Sequence, residues 1–255
     1  MENNNLKITG LIPARYASTR FPGKALVKLL GKPMIQHTYE RASQSKILTN
    51  LFVVTDDERI TRTVHQFGGK SIMTSPEHQS GTDRLAEAVR NLDTDLVVNI
   101  QGDEPVITSE AIENVVGPLV ENTEILMTTL AHRIKHPEDL QNPHMGKVVF
   151  NQEGWALYFS RSPLPWPTPN VNKEFLRQHK YYNTVGLYGY RREFLLMFAS
   201  LTPTPLEQIE RLEQLRALEH GYQIMVRQTE YVPLGVDVPE DIHKVEKRLM
   251  EEEVT

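Results

Sequence analysis

Cysteine is absent from all 255 residues. That excludes disulfides, thiolate nucleophiles and cysteine-based zinc or iron–sulfur sites, and it fits a reducing compartment. Long apolar runs are missing too, and the first residues, Met1 to Asn5, are polar. Neither a membrane span of about 20 apolar residues nor the apolar core of a secretory signal is expected. There is no excess of positive charge either: 28 Lys and Arg face 33 Asp and Glu, for a net charge of −5. A surface of that sign does not suit a general nucleic-acid binder, although it leaves room for a local basic pocket. The expectation is therefore a cytoplasmic protein without membrane or nucleic-acid partners. What is present is ordinary for a soluble globular chain, with 39% hydrophobic and 24% charged residues. The length allows one large α/β domain or two small ones.

Apolar stretches at 6–12, 51–55, 70–74 and 96–100 read as strands. Between them, 34–45, 56–67 and 80–91 read as helices. This β-α-β-α-β-α-β order predicts a parallel sheet with helices on both faces. No G-x-G-x-x-G follows the first strand, which argues against a dinucleotide site. Further along, a helix is expected at 109–120, a strand at 125–131 and a long connection at 132–145. A hairpin is expected from 147–150 and 155–160, then a strand at 182–190 and a helix at 191–200. The proline-dense 162–169 reads as a rigid loop or a dimer-contact arm. A single helix over 206–221 would bury Leu206, Ile209, Leu212, Leu215 and Leu218. A last strand at 223–227 and a terminal helix to 253 complete the chain. His78, His132, His136 and His144 lack ligand spacing and read as surface or loop residues.

Three stretches carry chemistry. The loop 13–24 sets Arg15, Arg20 and Lys24 beside Pro13, Pro22 and Gly23. Three cations there suit a polyphosphate better than mere solvation. The stretch Gln101-Gly102-Asp103-Glu104-Pro105 follows a buried strand, at the end of a parallel sheet where ligands gather. Asp103 either turns the chain or holds a hard cation such as Mg²⁺. Ser80-Gly81-Thr82-Asp83-Arg84 opens a helix whose free N–H groups and hydroxyls either meet a base or ribose or only cap the helix. Asp56 and Asp57 read as capping residues. Asp237 reads as preceding a helix.

Taken jointly, Pro13 to Lys24, Gly31 to Met34, Ser80 to Arg84, Asn99 to Pro105, Tyr158 to Arg161, Leu212 to Arg216 and Val236 to Asp241 resemble the 3-deoxy-manno-octulosonate (KDO) cytidylyltransferase family. The resemblance runs in order from about residue 8 to residue 249. It implies transfer of CMP from CTP to the anomeric hydroxyl of KDO, an acidic eight-carbon sugar. It also implies a nucleotide-diphospho-sugar transferase-like, Rossmann-like α/β fold, Mg²⁺ and a homodimer. The chain would be one domain, 1–255, with a dimerisation or sugar-side insertion around 130–200. By position, the metal falls on Asp103 and Asp237. The nucleotide falls on Ala14, Arg15, Arg20, Lys24, Ser80, Arg84 and Gln101. The sugar falls on Arg161, Thr184, Tyr188, Glu213 and Gln214. The family's His-x-Gly-x-Tyr segment here begins with Thr184 and ends at Tyr188. Threonine keeps a hydroxyl but cannot carry charge, so a KDO analogue such as 8-amino-KDO, or another acidic sugar, is the alternative substrate. No single general base stands out.

Overall fold

Ile8, Leu11 and Ile12 are buried, as the apolar pattern of the first strand requires. The computed structural model describes residues 6–17, 21–78, 80–167 and 171–253, and packing divides the chain into two units. The first comprises Met1–Glu113, Arg191–Ala199 and Pro233–Thr255. In chain order it begins with β1 (Ile8–Ala14), the two-residue strands β2 (Lys28–Leu29) and β3 (Lys32–Pro33), and α1 (Met34–Ala42). Then come β4 (Asn50–Thr55), α2 (Glu58–Gln66), β5 (Ser71–Met73), α3 (Gly81–Val89) and β6 (Leu96–Asn99). The chain leaves this unit within α4 (Ser109–Glu121).

Strand β1 pairs in parallel with β4 on one side and β6 on the other, and β5 extends the β4 side. The connections thus run one way from β1 through β4 to β5, then return to β6. The strand order reverses between β1 and β6, and the crevice outside their carboxyl ends is where an open α/β sheet binds ligands. The loops leaving those two ends are the 13–24 loop and the turn at 101–105. Asp57 caps α2 by accepting the Arg59 N–H at 2.9 Å. Val236, Val245 and Leu249 pack with Leu29, Met34 and Val106, which anchors the C-terminal segment on this unit.

The second unit, Asn114–Tyr190 and Ser200–Val232, carries β7 (Met127–Arg133), α5 (Pro137–Gln141), β8 (Lys147–Phe150), β9 (Ala156–Ser160), α6 (Lys173–Gln178) and β10 (Tyr182–Arg191). After α7 (Arg192–Ser200) come α8 (Pro205–Glu210), α9 (Gln214–Glu219) and β11 (Met225–Thr229). The final helix, α10 (Ile242–Glu253), belongs to the first unit. Strand β7 lies between antiparallel β10 and parallel β11, and the predicted hairpin is β8 and β9. The two short helices α5 and α6 lie in stretches without helical periodicity. Leu140 and Leu176 bring them together over Ile134 and Tyr181.

Two expectations fail here. The helix over 206–221 is two helices, broken at Arg211, whose φ of 53° is left-handed. Ile209 is consequently 78% exposed. The break is stable because Arg161 bonds its carbonyls, Nε to Glu210 O at 2.8 Å and Nη2 to Arg211 O at 3.2 Å. His132 is not a loop residue either. It is buried on β7, with Asn183 Nδ2 at 3.1 Å from its Nε2, and burial pushes its pKa down.

Candidate active site

The loop after β1 and the turn after β6 enclose a cleft of about 390 Å³ in the first unit. Ala14, Arg15, Lys24, Ser80, Arg84, Gln101 and Asp103 all line it. The structure thus collects every described residue that sequence reasoning assigned to the nucleotide. Arg20 lies outside the described residues. Two local features set the wall. Gly23 at φ 72° turns the loop back, its N–H bonded to Tyr16 O at 2.8 Å, and starts the short helical turn that carries Lys24. Gly102 lies against the first loop so closely that a Cβ there would stand 2.8 Å from Pro13 O.

Asp103 and Asp237 lie far apart in sequence, and the backbone brings them together. The Val236 N–H donates to Asp103 O at 3.1 Å. A Cβ on Gly235 would stand 2.9 Å from that same oxygen, so only glycine permits the approach. Asp241 holds the turn by accepting the Asp237 N–H at 3.0 Å and the Val238 N–H at 3.1 Å. Lys24 sits between the carboxylates. Its Nζ is paired with Asp103 Oδ2, lies 3.6 Å from Asp237 Oδ1, and donates to Val236 O at 3.3 Å. Two convergent carboxylates with an open side fit a hard cation that takes one or two protein carboxylates and completes its shell with phosphate and water. No group of three or more His, Asp or Glu that could hold a metal ion occurs among the described residues.

The other nucleotide-side residues have structural partners as well. Ser80 caps α3 in a reciprocal box: its Oγ accepts the Asp83 N–H at 3.1 Å, and Asp83 accepts the Ser80 N–H at 3.1 Å. Ser80 thus caps α3 and also lines the cleft. Arg84 is buried, donating to Thr74 Oγ1 at 2.5 Å and to Asp56 Oδ2 at 2.8 Å. Of the two adjacent acids read as caps, Asp57 caps α2, while Asp56 holds Arg84. His78, read as a loop residue, is a cleft wall.

The sugar-side candidates all lie in the second unit. Thr184 and Tyr188 share the half-buried face of β10. The Thr184 N–H donates to Gly146 O at 2.7 Å. A Cβ on Gly146 would meet Thr184 Cγ2 at 2.8 Å and Leu212 Cδ2 at 3.7 Å, so Thr184 stands beside the segment leading to Glu213 and Gln214. Gln214 is buried, and its Nε2 has no hydrogen-bond partner. A buried donor left so wants an acceptor. Arg161 is different. Besides Glu210 and Arg211, its guanidinium reaches Pro143 O at 3.1 Å, so its donors are committed to backbone carbonyls. Glu213 starts α9, 3.6 Å from Arg216, whose guanidinium is held by Glu207 at 2.8 and 2.5 Å.

Sequence reasoning missed Lys147. It is fully buried, and its Nζ donates to the carbonyls of Asn142, Met145 and Arg161 at 2.5, 2.7 and 2.9 Å. Nothing in the pattern marks it, because a lysine at the start of a strand is ordinarily solvated.

Known proteins resemble this chain over nearly its whole length. The cytidylyltransferase family model matches residues 9–225. A 3-deoxy-manno-octulosonate cytidylyltransferase of Geotalea uraniireducens is 52% identical over 96% of this chain and 99% of its own. One of Geobacter sulfurreducens is 48% identical over 96% of this chain and its own full length. A solved structure of CMP:2-keto-3-deoxy-manno-octonic acid synthetase complexed with CTP superposes with a TM-score of 0.89 at 40% identity, covering 96% of this chain and 99% of that one. A cleft of cations and paired carboxylates at the switch point of a parallel sheet, and relatives alike over nearly the whole chain, point the same way: this chain belongs to the 3-deoxy-manno-octulosonate cytidylyltransferases.

Proposed function

We propose that this protein transfers CMP from CTP to the anomeric hydroxyl of KDO, releasing diphosphate, as a step toward bacterial lipopolysaccharide. The single observation that carries the reading is the convergence of Lys24, Asp103 and Asp237 beside the cationic loop. KDO itself is preferred over an amino analogue because the full-length relatives carry its name.

Such a transfer asks the protein mainly for positioning and charge. Arg15 and Lys24 oppose the negative charge that develops on the departing diphosphate. Asp103 and Asp237 would hold Mg²⁺, which when bound supplies polarisation of the α-phosphate and a lower pKa for the attacking hydroxyl. Ala14, Ser80, Arg84 and Gln101 shape the nucleoside end of the cleft. Thr184, Tyr188, Glu213 and Gln214 are assigned to the sugar, with the unpaired Nε2 of Gln214 offered to an acceptor on the acid or its hydroxyls. Arg161 supports Glu213 and Gln214 by holding the 210–211 carbonyls just before them.

The active form is read as a homodimer. Leu157 on β9 is 62% exposed, and β9 pairs only with β8 among the described strands. Trp166 in the proline-dense segment is 84% exposed. We read these exposed groups as part of the surface between the two copies. Dependence on CTP suits a cytoplasmic enzyme, and no helix among the described residues is long and apolar enough to cross a membrane. Diphosphate release that requires CTP, KDO and Mg²⁺ together is the expected result. Release with another nucleotide or another sugar acid in preference would overturn the reading.

A further inference from the structure

The cleft contains one polar side chain for which the reaction above has no use. His78 lies ahead of α3 and lines the wall near Ser80, Gly81 and Gln101. Its Nε2 is hydrogen-bonded to Glu87 Oε2. The same oxygen accepts the Ser75 N–H at 2.9 Å. The Ser75 N–H, and then His78, hold the Glu87 carboxyl below the usual carboxylate range. Glu87 is therefore an acceptor only, and an acceptor-only partner decides which ring nitrogen donates to it. Nε2 must carry the proton, and in the neutral imidazole Nδ1 is left as a lone-pair acceptor.

Of the other side-chain acceptors on the wall, Asp103 is taken by Lys24, and the rest can turn. Gln101 is an amide, bonded through Nε2 to Asn99 Oδ1 at 3.3 Å, and an amide can turn either a donor or an acceptor to a ligand. The Ser80 hydroxyl rotates likewise. Arg15, Lys24 and Arg84 only donate. Cytosine and uracil differ at position 4 and at N3: cytosine offers a 4-amino donor and an N3 acceptor where uracil offers an oxygen acceptor and an N3–H donor. Discriminating them takes a group that cannot change its character, because a group that turns accommodates both.

We propose that His78, its tautomer imposed by Glu87, accepts a hydrogen bond from the cytosine 4-amino group and thereby selects CTP over UTP. Against uracil the same lone pair faces a carbonyl oxygen. The proposal rests on the nucleotide reading of the cleft, and it adds which residue reads the base. If His78 merely ties its loop to α3 through Glu87, it has no part in the choice of pyrimidine.

The test measures kcat/KM with KDO for CTP, for UTP, and for the 2-pyrimidinone ribonucleoside triphosphate, in which hydrogen replaces the amino group. The wild-type protein, His78→Phe and Glu87→Gln are compared. In the wild type, loss of the amino group should lower kcat/KM by about tenfold to a hundredfold, the scale expected when a polar partner is left unmatched. In His78→Phe that penalty should vanish, and the CTP-to-UTP ratio should fall by a similar factor, mainly through KM for CTP. Glu87→Gln lets the partner donate, frees the tautomer and should lower the ratio partway, with KM for KDO unchanged. A ratio that stays constant in both variants overturns the proposal. So does a wild type that uses CTP and the 2-pyrimidinone nucleotide equally, a result that needs no variant to fold. A wild type with no CTP-dependent diphosphate release would instead overturn the nucleotide reading itself.

Discussion

Lys24 and Lys147 are both lysines in the interior, and their partners differ in kind. Lys24, in the first unit, is 19% exposed and paired with carboxylates at the edge of an open cleft. Lys147, in the second, is fully buried and held by three backbone carbonyls. Burial, followed by repulsion from Arg161, pushes its pKa down. The two arginines repeat the pattern. Arg15 is exposed on the cleft wall, whereas Arg161 is wrapped by carbonyls of 143 and 210–211. Lys24 and Arg15 thus border an open cleft. Lys147 and Arg161 pin the chain. A cation contributes to chemistry only where its partner can be replaced by substrate, and the identity of the partner separates the two roles.

The most severe way to break this contrast is to remove charge from the cleft. Asp103→Asn should lower kcat by roughly two to three orders of magnitude, because a carboxamide is a neutral and poor ligand for Mg²⁺ and the ion supplies several kcal/mol of charge stabilisation. Circular dichroism and Tm should stay near wild type. Near-normal turnover at ordinary Mg²⁺ would sink the metal assignment. Next is a matched pair. Lys24→Ala should weaken CTP handling by about tenfold to a hundredfold, equivalent to roughly 1.5–3 kcal/mol for a lost charge-assisted contact. Arg161→Ala should leave KM for CTP alone, lower Tm, and raise KM for KDO. If Arg161→Ala changes KM for CTP as much as Lys24→Ala does, the division of labour is wrong.

A smaller effect concerns pH. His132 has a folded pKa depressed by burial below its ordinary value of 6.5. Between the two values the unfolded chain binds more protons, so stability rises with pH across that window. The contribution is complete above about pH 6.5 and declines as pH falls toward the folded value. Chemical denaturation between pH 7 and 5 should show that slope, and His132→Gln should flatten it. A wild-type stability flat over this range would remove His132 as its source. The smallest effect is expected at Thr184. Thr184→His should shift the ratio of kcat/KM for KDO and 8-amino-KDO by a few-fold, on the order of one weak hydrogen bond, while KM for CTP hardly moves. An unchanged ratio would show that position 184 does not read the sugar.

Much of the first unit was legible. Strands 51–55 and 96–100 lie within one residue of β4 and β6 at each end, because β-branched runs bounded by polar turns leave little choice. The helix at 206–221 was misread because leucine spacing reports a period and not continuity. The break at Arg211 depends on a guanidinium from residue 161, which periodicity cannot register. His132 was misread as a loop because the strand expected at 125–131 in fact runs on to Arg133. Lys147 and His78 carried no signal at all, since the role of one comes from backbone carbonyls that fold around it and that of the other from the wall of a cleft.

By itself the amino-acid sequence determined the alternating order of elements, the cationic loop after β1, the Gly-Asp turn after β6 and the kinship with cytidylyltransferases. Those are properties of neighbours along the chain: side-chain period, turn chemistry and motif. Only the tertiary structure decided that Asp237 joins Asp103, because the Val236 N–H reaches Asp103 O and Gly235 allows it. It also decided that Arg161 and Lys147 serve the backbone and that His78 faces the cleft. Burial and partner identity depend on which chain segments meet, and that is a property of the packed whole.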